Sequence, residues 1–350
     1  MALLALQRVA LLWFLGGVGC VPVRTADSAQ VGGGVEDDSV NPVGERGTLA
    51  LVQLDCEGWI GESMLVVGPA GTSVLLDVGN DGHAEYISNS VGARTGRTEV
   101  DATVLTHFHE DHAGGLDKLS VEIGTLVSRG DVGLDAAELP DGWASAARVD
   151  LCDADTCTLP WTLDLGEGAT FEVWAANGWI GDGQKFASFT TDDDSENARS
   201  LVGVVRWGSF SFLWNGDLTG GGKDTIDMED PYANPILEAL GGPPTLVHLG
   251  HHGIDSSTQN AWVAAMLPDD GTERAAIVGT NGTYLDAPSD EVLARLSGRV
   301  SGTWLTRRGL LTGDDPLLRE AQGDVIVEVT KGGSAVGIRG GAWEAGWSVQ

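Results

Sequence analysis

Basic residues are scarce in this chain of 350 residues. It contains 20 lysines and arginines against 51 aspartates and glutamates, so its formal net charge is −31 at pH 7. Proteins that bind nucleic acid non-specifically hold its phosphates with lysine and arginine, so this balance argues against long nucleic acid as a partner. Only four cysteines are present. None is in a CxxC spacing, which argues against a zinc site built from cysteines.

The N-terminus carries an apolar run, but a short one. Residues 9–15 (VALLWFL) follow a segment with one positive charge and precede small residues that end at Cys20. Such a run is too short to span a bilayer and is typical of a secretory signal. Val18-Gly19-Cys20 resembles the cleavage site of bacterial lipoproteins, where the cysteine becomes the lipidated first residue. Gly17 stands where that pattern usually has leucine, and ordinary secretion and a retained anchor are the alternatives.

Three parts are therefore predicted along the chain. Residues 1–20 are a signal peptide with a lipoprotein-like cleavage site, and residues 21–46, rich in Gly, Ser, Asp and Val, are a flexible linker. Apolar residues make up 42% of the chain, which is enough for a sizeable core, so residues 47–345 are expected to form one domain. We expect an exported bacterial protein, anchored to a membrane as a lipoprotein on the periplasmic or cell-surface side.

Three cysteines remain if Cys20 is lipidated. Cys152 and Cys157 bracket a turn-like loop and could close a small ring, because export permits disulfides. Cys56 is then left over and is predicted to be a buried free thiol.

Strands dominate the apolar pattern, and short helices are interspersed among them. Strands are predicted at 49–54, 63–67, 72–77, 102–106, 171–175, 201–207, 209–214, 245–249, 275–279, 302–306, 325–330 and 335–338. Helices are predicted at 83–91, 235–240, 259–266 and 290–296, the last with Ser289 as N-cap. Two β-rich halves with interspersed helices predict an α/β (α+β) fold, a four-layered αββα sandwich.

Six of the seven histidines fall into two tight groups, each following an apolar strand. The first group lies in THFHEDHAGG, residues 106–115. Side chains at i and i+2 point the same way at a strand end, so His107 and His109 can grip one cation. The turn that follows presents Asp111 and His112 to a second cation. Neutral imidazole and carboxylate are ligands that suit zinc, manganese or iron.

The motif HxHxDH followed by Gly-Gly resembles the signature of the metallo-β-lactamase fold superfamily of hydrolases. Upstream, Asp77 in LDVG resembles the strand-end aspartate that supports the metal loop by hydrogen bonds. Later segments resemble, in order, the hydrolase domain of ComEC-type competence proteins and related phosphodiesterases, including phosphorylcholine esterases of cell walls. These segments are NARSLV (197–202), FLWNGD (212–217) and HLGHHGIDSS (248–257). The similarity covers residues 48 to 310.

The resemblance implies two divalent metal ions, zinc or manganese, bridged by the carboxylate of Asp217. One metal would be bound by His107 and His109, and the second by Asp111 and His112. One of His251 and His252 would complete the second metal, and spacing does not decide between them, because successive residues at a strand end point oppositely. We expect His252 as the ligand and His251 as a substrate contact or proton donor.

Other residues of the resemblance are given supporting roles. Asp77, Asn197, Ser200 and Asn281 are predicted to support the ligands or contact substrate, and His248, within a strand, is predicted to be packed. No histidine lies between residues 112 and 217, where many superfamily members have a ligand, so one metal is expected to have fewer protein ligands. The segment NGTYLDAP (281–288) keeps the Asn, Tyr and Pro of the ComEC-type pattern but lacks its histidine.

The implied reaction is hydrolysis by a metal-bridged hydroxide, because two cations about 3.5–4 Å apart lower the pKa of a shared water. Asp111 would orient that nucleophile, and His251 would protonate the leaving group. We expect the substrate to be a small-molecule or cell-envelope phosphodiester. The alternatives are a metal-dependent nuclease of ComEC type, a hydrolase of carboxylic esters, lactones or lactams, and a non-enzymatic metal-binding lipoprotein.

Overall fold

The computed structural model describes residues 42–349, except for residues 59, 131–146, 182, 188, 190–193 and 283–285. The predicted signal peptide, with Cys20, and most of the predicted linker lie outside the described residues. The described residues belong to one compact unit. Its last strand ends at Ser348, beyond the predicted boundary at residue 345.

Strands and helices are numbered along the chain. The strands are β1 (Leu49–Gln53), β2 (Met64–Val67), β3 (Ser73–Leu76), β4 (Glu99–Leu105), β5 (Glu122–Ser128), β6 (Arg148–Asp150), β7 (Trp161–Gly166), β8 (Ala169–Ala176), β9 (Trp179–Ile180), β10 (Gln184–Lys185), β11 (Val202–Trp207), β12 (Phe210–Trp214), β13 (Leu246–His248), β14 (Ala275–Asn281), β15 (Thr303–Arg307), β16 (Leu318–Glu320), β17 (Val325–Thr330), β18 (Ala335–Gly340) and β19 (Trp343–Ser348). The helices are α1 (Ala84–Thr95), α2 (Glu110–Ala113), α3 (Asp194–Ala198), α4 (Glu229–Leu240), α5 (Asn260–Met266) and α6 (Asp290–Leu296).

The strands form two mixed sheets. The first has the order β19-β18-β17-β1-β2-β3-β4-β5-β6, and its strands from β3 to β6 are parallel. The second has the order β10-β9-β8-β11-β12-β13-β14-β15-β16, with β7 also paired to β8, and its strands from β12 to β16 are parallel. The last three strands of the chain thus return to the first sheet, where β17 pairs with β1.

Apolar clusters join the layers of the molecule. One fills the space between the sheets, with Leu51 from the first and Phe212 from the second. A second covers the outer face of the second sheet with α4, α5 and α6, through residues such as Ile236 and Leu293. A third packs α1, through Ile87, on the outer face of the first sheet. The order helix, sheet, sheet, helix confirms the predicted αββα sandwich.

Most predicted elements are present, and the differences have local causes. Helix α6 begins after Ser289, whose Oγ accepts a hydrogen bond from the N–H of Val292 at 3.3 Å, as predicted. Helix α4 begins at Glu229 rather than at Pro235, because Ile236 and the earlier Tyr232 are both buried against the second sheet and hold its first turns. Seven of the described strands were not predicted. β6, β9, β10 and β16 have only two or three residues, and β5, β7 and β19 are partly exposed along their length, so their apolar pattern is weak.

Three of the four cysteines lie in the described residues. Cys152 and Cys157 form a disulfide. Cys56 is a buried free thiol, as predicted, and burial raises its pKa well above the usual range. Among the described residues, no helix has both the length and the apolar character that crossing a membrane requires.

Candidate metal centre

Three strand ends bring the predicted ligands to one edge of the sandwich. The HxHxDH segment follows β4 of the first sheet, Asp217 follows β12 of the second, and the His251-His252 pair follows β13. Backbone hydrogen bonds join the segments: Leu201 N–H donates to the Thr106 carbonyl at 3.0 Å, and His251 N–H donates to the Gly216 carbonyl at 3.1 Å. The carboxyl ends of neighbouring parallel strands meet at such an edge.

Gly216 makes this approach feasible. Its φ is 47°, in the left-handed region that favours glycine, and a Cβ at this position would lie 2.6 Å from the Cβ of Thr106. The glycine therefore lets the loop that carries Asp217 lie directly against the loop that carries the histidines.

The first predicted metal site combines two histidines with one carboxylate. His107 Nε2 lies 3.1 Å from His109 Nδ1 and 3.9 Å from Asp217 Oδ2. The other ring nitrogen of His107, Nδ1, is 3.1 Å from the hydroxyl of Thr106. That contact orients the ring so that Nε2 faces His109 and the carboxylate.

The second predicted site shares the same carboxylate. His112 Nε2 lies 3.2 Å from Asp217 Oδ1 and 4.0 Å from Asp111 Oδ2. His252 Nε2 lies 3.4 Å from Asp111 Oδ2 and 3.9 Å from Asp217 Oδ2. Atoms at these separations can all lie about 2 Å from one cation between them.

Asp77 holds the ring of His112, as the resemblance implies. Its Oδ2 lies 2.9 Å from His112 Nδ1 and accepts a hydrogen bond from the Thr106 hydroxyl at 2.7 Å, while its Oδ1 accepts from the Thr106 N–H at 2.7 Å. Burial raises the pKa of Asp77, although His112 and Thr106 oppose that change. With Nδ1 held, Nε2 of His112 is directed at Asp217 and Asp111.

The donor set fits divalent cations. His112 Nε2 and Asp217 Oδ1 are buried and 3.2 Å apart, but neither makes a hydrogen bond of good geometry in the described part of the chain. Burial lowers the pKa of His112, but Asp217, Asp111 and Asp77 outweigh burial and raise it well above its ordinary value. Burial likewise acts to raise the pKa of Asp217, yet the surrounding histidines hold it well below its usual range. A metal ion satisfies such a cluster by taking the place of the protons.

His251 and His252 both face Asp217, although successive residues at a strand end were expected to point oppositely. Their φ angles are 53° and 54°, so the backbone is left-handed at both positions and turns both rings toward the carboxylate. His251 Nε2 lies 3.6 Å from Asp217 Oδ2 and 3.2 Å from Asn197 Nδ2, and its Nδ1 lies 2.5 Å from Ser256 Oγ. Burial lowers the pKa of His251, and Asp217 opposes this.

The remaining predicted site residues differ in their distance from the cluster. Asn197 reaches His251, as above. Ser200 is buried, and its hydroxyl makes no hydrogen bond to another described residue. Asn281 ends β14 and lines a cavity of about 310 Å³ together with Arg307 and Arg308. Tyr284, from the segment that resembles the ComEC-type pattern, lies outside the described residues.

Two buried polar residues near the centre were missed or undervalued. Glu62, fully buried before β2, belongs with His112, Asp217 and His252 to a group whose ligand atoms all lie within 4.8 Å of one another. His248 is packed, as predicted, with its ring stacked on Trp214 at 4.0 Å, but it also lies 2.7 Å from Glu62 Oε1. The sequence did offer one signal for Glu62, because it is a charged residue directly before the predicted apolar strand at 63–67.

One part of the chain is similar to known proteins. Residues 57–164 match the family model of the metallo-β-lactamase superfamily. The beta-lactamase-like protein 2 homolog of Caenorhabditis elegans is 37% identical over 65 residues, which cover 18% of this chain and only 22% of that protein's length. Residues 57–164 of this chain are therefore similar to the metallo-β-lactamase superfamily, and the rest of the chain lies outside that match.

Solved structures are similar at a lower level. The metallo-β-lactamase fold protein YhfI from Bacillus subtilis is 11% identical, with 75% of this chain and 98% of that chain covered and a TM-score of 0.40. The metallo-β-lactamase FIM-1 from Pseudomonas aeruginosa, in a mono-zinc form, is 13% identical, with coverages of 57% and 82% and a TM-score of 0.32. Both TM-scores are below 0.5, so neither likeness adds to the match with the family model.

Proposed function

We propose that this protein is a metal-dependent phosphodiesterase. The supporting observation is that Asn197, Asp217 and His251 meet at one point. They come from the three segments, 197–202, 212–217 and 248–257, that resemble ComEC-type hydrolases and related phosphodiesterases. Asn197 Nδ2 is 3.2 Å from His251 Nε2, and that nitrogen is 3.6 Å from Asp217 Oδ2. The same pattern thus places a histidine that is not needed as a ligand beside the predicted bridging carboxylate.

Each residue of the site has a separate role in the proposed hydrolysis. When bound, two divalent cations supply Lewis acidity and lower the pKa of water. Asp217 holds the two sites together, and Asp111 orients the nucleophile as well as binding metal. His251, with 16% of its side chain exposed, is oriented by Ser256. If the Asn197 amide turns so that Oδ1, which makes no hydrogen bond among the described residues, replaces Nδ2 beside the ring, Nε2 of His251 can carry the proton that it donates to the leaving oxygen.

The expected substrate is small or belongs to the cell envelope. A chain with a net charge of −31 repels a long polyanion, whereas a single phosphodiester can be neutralised locally by the metals. Zinc is the proposed metal, because histidine nitrogens and carboxylate oxygens are its usual donors in hydrolases, and manganese is the alternative.

The test is a substrate screen on the purified full-length chain after metal analysis. We expect about two metal ions per chain and cleavage of bis-p-nitrophenyl phosphate, but little turnover of nitrocefin or p-nitrophenyl acetate. Faster turnover of nitrocefin or the acetate would replace the phosphodiesterase by a lactam or ester hydrolase. Preferential cleavage of single-stranded DNA would support the nuclease, and metal binding without hydrolysis would leave a binding protein.

A pair of variants tests the roles of the adjacent histidines. His252→Gln should lower the metal content, whereas His251→Gln should keep the metals and lower kcat, because it removes only the proton donor. The reverse pattern of metal contents would exchange the two roles.

We further propose that the protein is exported and held on a membrane by lipid attached to Cys20. Support comes from the apolar run at residues 9–15 and the small residues before Cys20. In a bacterial host, the parent should fractionate with membranes and carry lipid on an N-terminal cysteine, and Cys20→Ser should release it into the soluble exported fraction. A parent retained in the cytosol, or one whose mature N-terminus is another, unmodified residue, would contradict this proposal.

A further inference from the structure

Glu62 lies behind a predicted metal ligand with one oxygen unsatisfied. Its Oε2 is 3.9 Å from Nδ1 of His252 and makes no hydrogen bond within the described ranges. His252 directs its other nitrogen, Nε2, toward Asp111 at 3.4 Å. Glu62 therefore contacts the ring nitrogen opposite the one that faces Asp111, which is the place of a residue that orients the ligand, although its carboxylate also lies within 4.8 Å of ligand atoms of His112 and Asp217.

The other oxygen of Glu62 is firmly held. Oε1 lies 2.7 Å from His248 Nε2 and accepts hydrogen bonds from the Gly279 N–H at 3.0 Å and from Gln53 Nε2 at 3.4 Å. His248 is fixed in turn, because its ring stacks on Trp214 and its Nδ1 lies 3.1 Å from Asn215 Oδ1. The carboxylate is thereby anchored to both sheets.

Gly279 connects the carboxylate to the ligand. Its N–H donates to Glu62, and its carbonyl oxygen lies 3.1 Å from His252 Nδ1, so one glycine residue touches both side chains. A Cβ at this position would lie 2.6 Å from Glu62 Oε1 and would also collide with Gln53 Nε2. Only glycine leaves room for this arrangement, since any side chain would displace the carboxylate.

We propose that Glu62, anchored by His248, is a positioning residue that orients the metal ligand His252 through Gly279. The proposal rests on the proposed metal centre. Glu62 would then do for His252 what Asp77 does for His112, whose Nδ1 lies 2.9 Å from Asp77 Oδ2. Both histidines predicted for the second metal then have Nδ1, the nitrogen that does not face the metal, held in place. For His112 the partner is the carboxylate of Asp77, and for His252 it is the carbonyl of Gly279, whose N–H is bound by Glu62.

The test measures zinc affinity of the full-length chain by competition with a chromogenic chelator. Glu62→Ala should weaken the second zinc by about 10- to 100-fold, the usual effect of losing a residue that orients a ligand. Glu62→Gln should restore part of that loss, because an amide oxygen can still accept the Gly279 N–H. Gly279→Ala should weaken the same zinc, although it removes no polar group.

Asp324→Asn is the matched control. Asp324 is another buried carboxylate, which accepts hydrogen bonds from Arg94 and Tyr86, and its loss should leave zinc affinity unchanged. Should Glu62→Ala fail to fold, Glu62→Gln and Gly279→Ala carry the comparison.

The outcomes separate this proposal from the proposed function. Parental zinc affinity in Glu62→Gln and Gly279→Ala would overturn the positioning role, even if the parent hydrolyses a phosphodiester. Complete loss of one zinc, with no recovery in Glu62→Gln, would make Glu62 a ligand instead. A parent that binds zinc but cleaves no phosphodiester would defeat the proposed substrate and leave the positioning role intact, whereas a parent that binds no divalent metal would overturn both.

Discussion

At the scale of single residues, Asp217 is the common neighbour of the predicted ligands. Its buried carboxylate lies within 3.9 Å of ring nitrogens of His107, His112, His251 and His252. Burial acts to raise the pKa of Asp217, but His112, His251 and His252 lower it well below its usual range, so the carboxylate stays anionic in the interior. A single side chain in this position can bridge two cations and offset their mutual repulsion.

Asp217→Asn should therefore lose metal while it keeps the fold. The amide has the size of the carboxylate but lacks its charge, so metal content should fall from about two to one or fewer per chain. Phosphodiester hydrolysis should fall by at least about a hundredfold, the order associated with losing a major electrostatic contribution. Elemental analysis and kinetics on the purified variant are the measurements. Asp324→Asn serves as the control, and parental metal content and activity in Asp217→Asn would show that the bridging role is wrong.

Glu229 makes the stability of the fold depend on pH. It is fully buried, and its carboxylate accepts hydrogen bonds from the N–H groups of Thr258 and Gln259. Burial nevertheless raises the pKa of Glu229 from 4.5 to about 8. Between these two pH values Glu229 is protonated in the folded chain but ionised in the unfolded chain. Its contribution to the free energy of unfolding therefore falls as the pH rises from 4.5 to 8.

Glu229→Gln should remove this pH dependence. Urea unfolding at pH 5 and pH 8.5 should show that the free energy of unfolding falls more steeply in the parent than in the variant. One pKa unit corresponds to about 1.4 kcal/mol, so the difference should amount to a few kcal/mol at most. Other titrating groups are common to both proteins and cancel in the comparison. Parallel pH profiles would mean that Glu229 has an ordinary pKa.

At the scale of elements, two hairpin turns from different sheets touch. Gly208, with φ 56°, turns β11 into β12, and Gly333, with φ 89°, turns β17 into β18. A Cβ on Gly333 would collide with the carbonyl oxygen of Trp207, and one on Gly208 would collide with that of Gly332. Glycine at these turns therefore permits a direct backbone contact between the sheets.

Gly333→Ala should destabilise the fold through this contact. Overpacking typically costs about 1–3 kcal/mol, in addition to the cost of a left-handed alanine, so the free energy of unfolding should fall by at least about 2 kcal/mol. Gly298→Ala is the control, because its φ of 76° is also left-handed but an added Cβ meets nothing within 4 Å. Its loss should be close to 1 kcal/mol. Equal losses in urea unfolding would show that the turns do not constrain each other.

At the scale of the whole molecule, the predicted metal centre would join the two sheets. His107, His109, Asp111 and His112 come from the loop after β4, in the first sheet, whereas Asp217 and His252 follow strands of the second. A metal that binds ligands from both sheets binds the folded state far better than the unfolded chain. Metal binding should therefore add to the free energy of unfolding in proportion to the logarithm of metal concentration over Kd.

Chelation should consequently lower the melting temperature. With free zinc at a hundred times its Kd, binding contributes about 2.7 kcal/mol, which corresponds to a Tm decrease of roughly 5 °C or more on removal. Calorimetry with and without EDTA, followed by zinc addition, measures the change. The Asp217→Asn variant should respond less. An unchanged Tm in the parent would mean that the sheets do not depend on a shared metal.

The sequence by itself determined the features that depend on neighbours along the chain. The ligand group at residues 107–112 spans one strand end and one helical turn, so its spacing was sufficient to predict that His107, His109, Asp111 and His112 gather. The Ser289 cap and the αββα class also follow from local pattern, because caps and apolar periodicity involve residues only a few positions apart.

Only the tertiary structure decided what depends on distant segments. Glu62 lies 186 positions from His248 and 217 from Gly279, and no local pattern relates them. The return of β17–β19 to the first sheet and the rotation of both His251 and His252 toward Asp217 were likewise beyond the sequence. Strand order is selected by burial of whole apolar faces, and the left-handed turn at His251 and His252 is set within loops that pack against each other, so both arise only when the sheets meet.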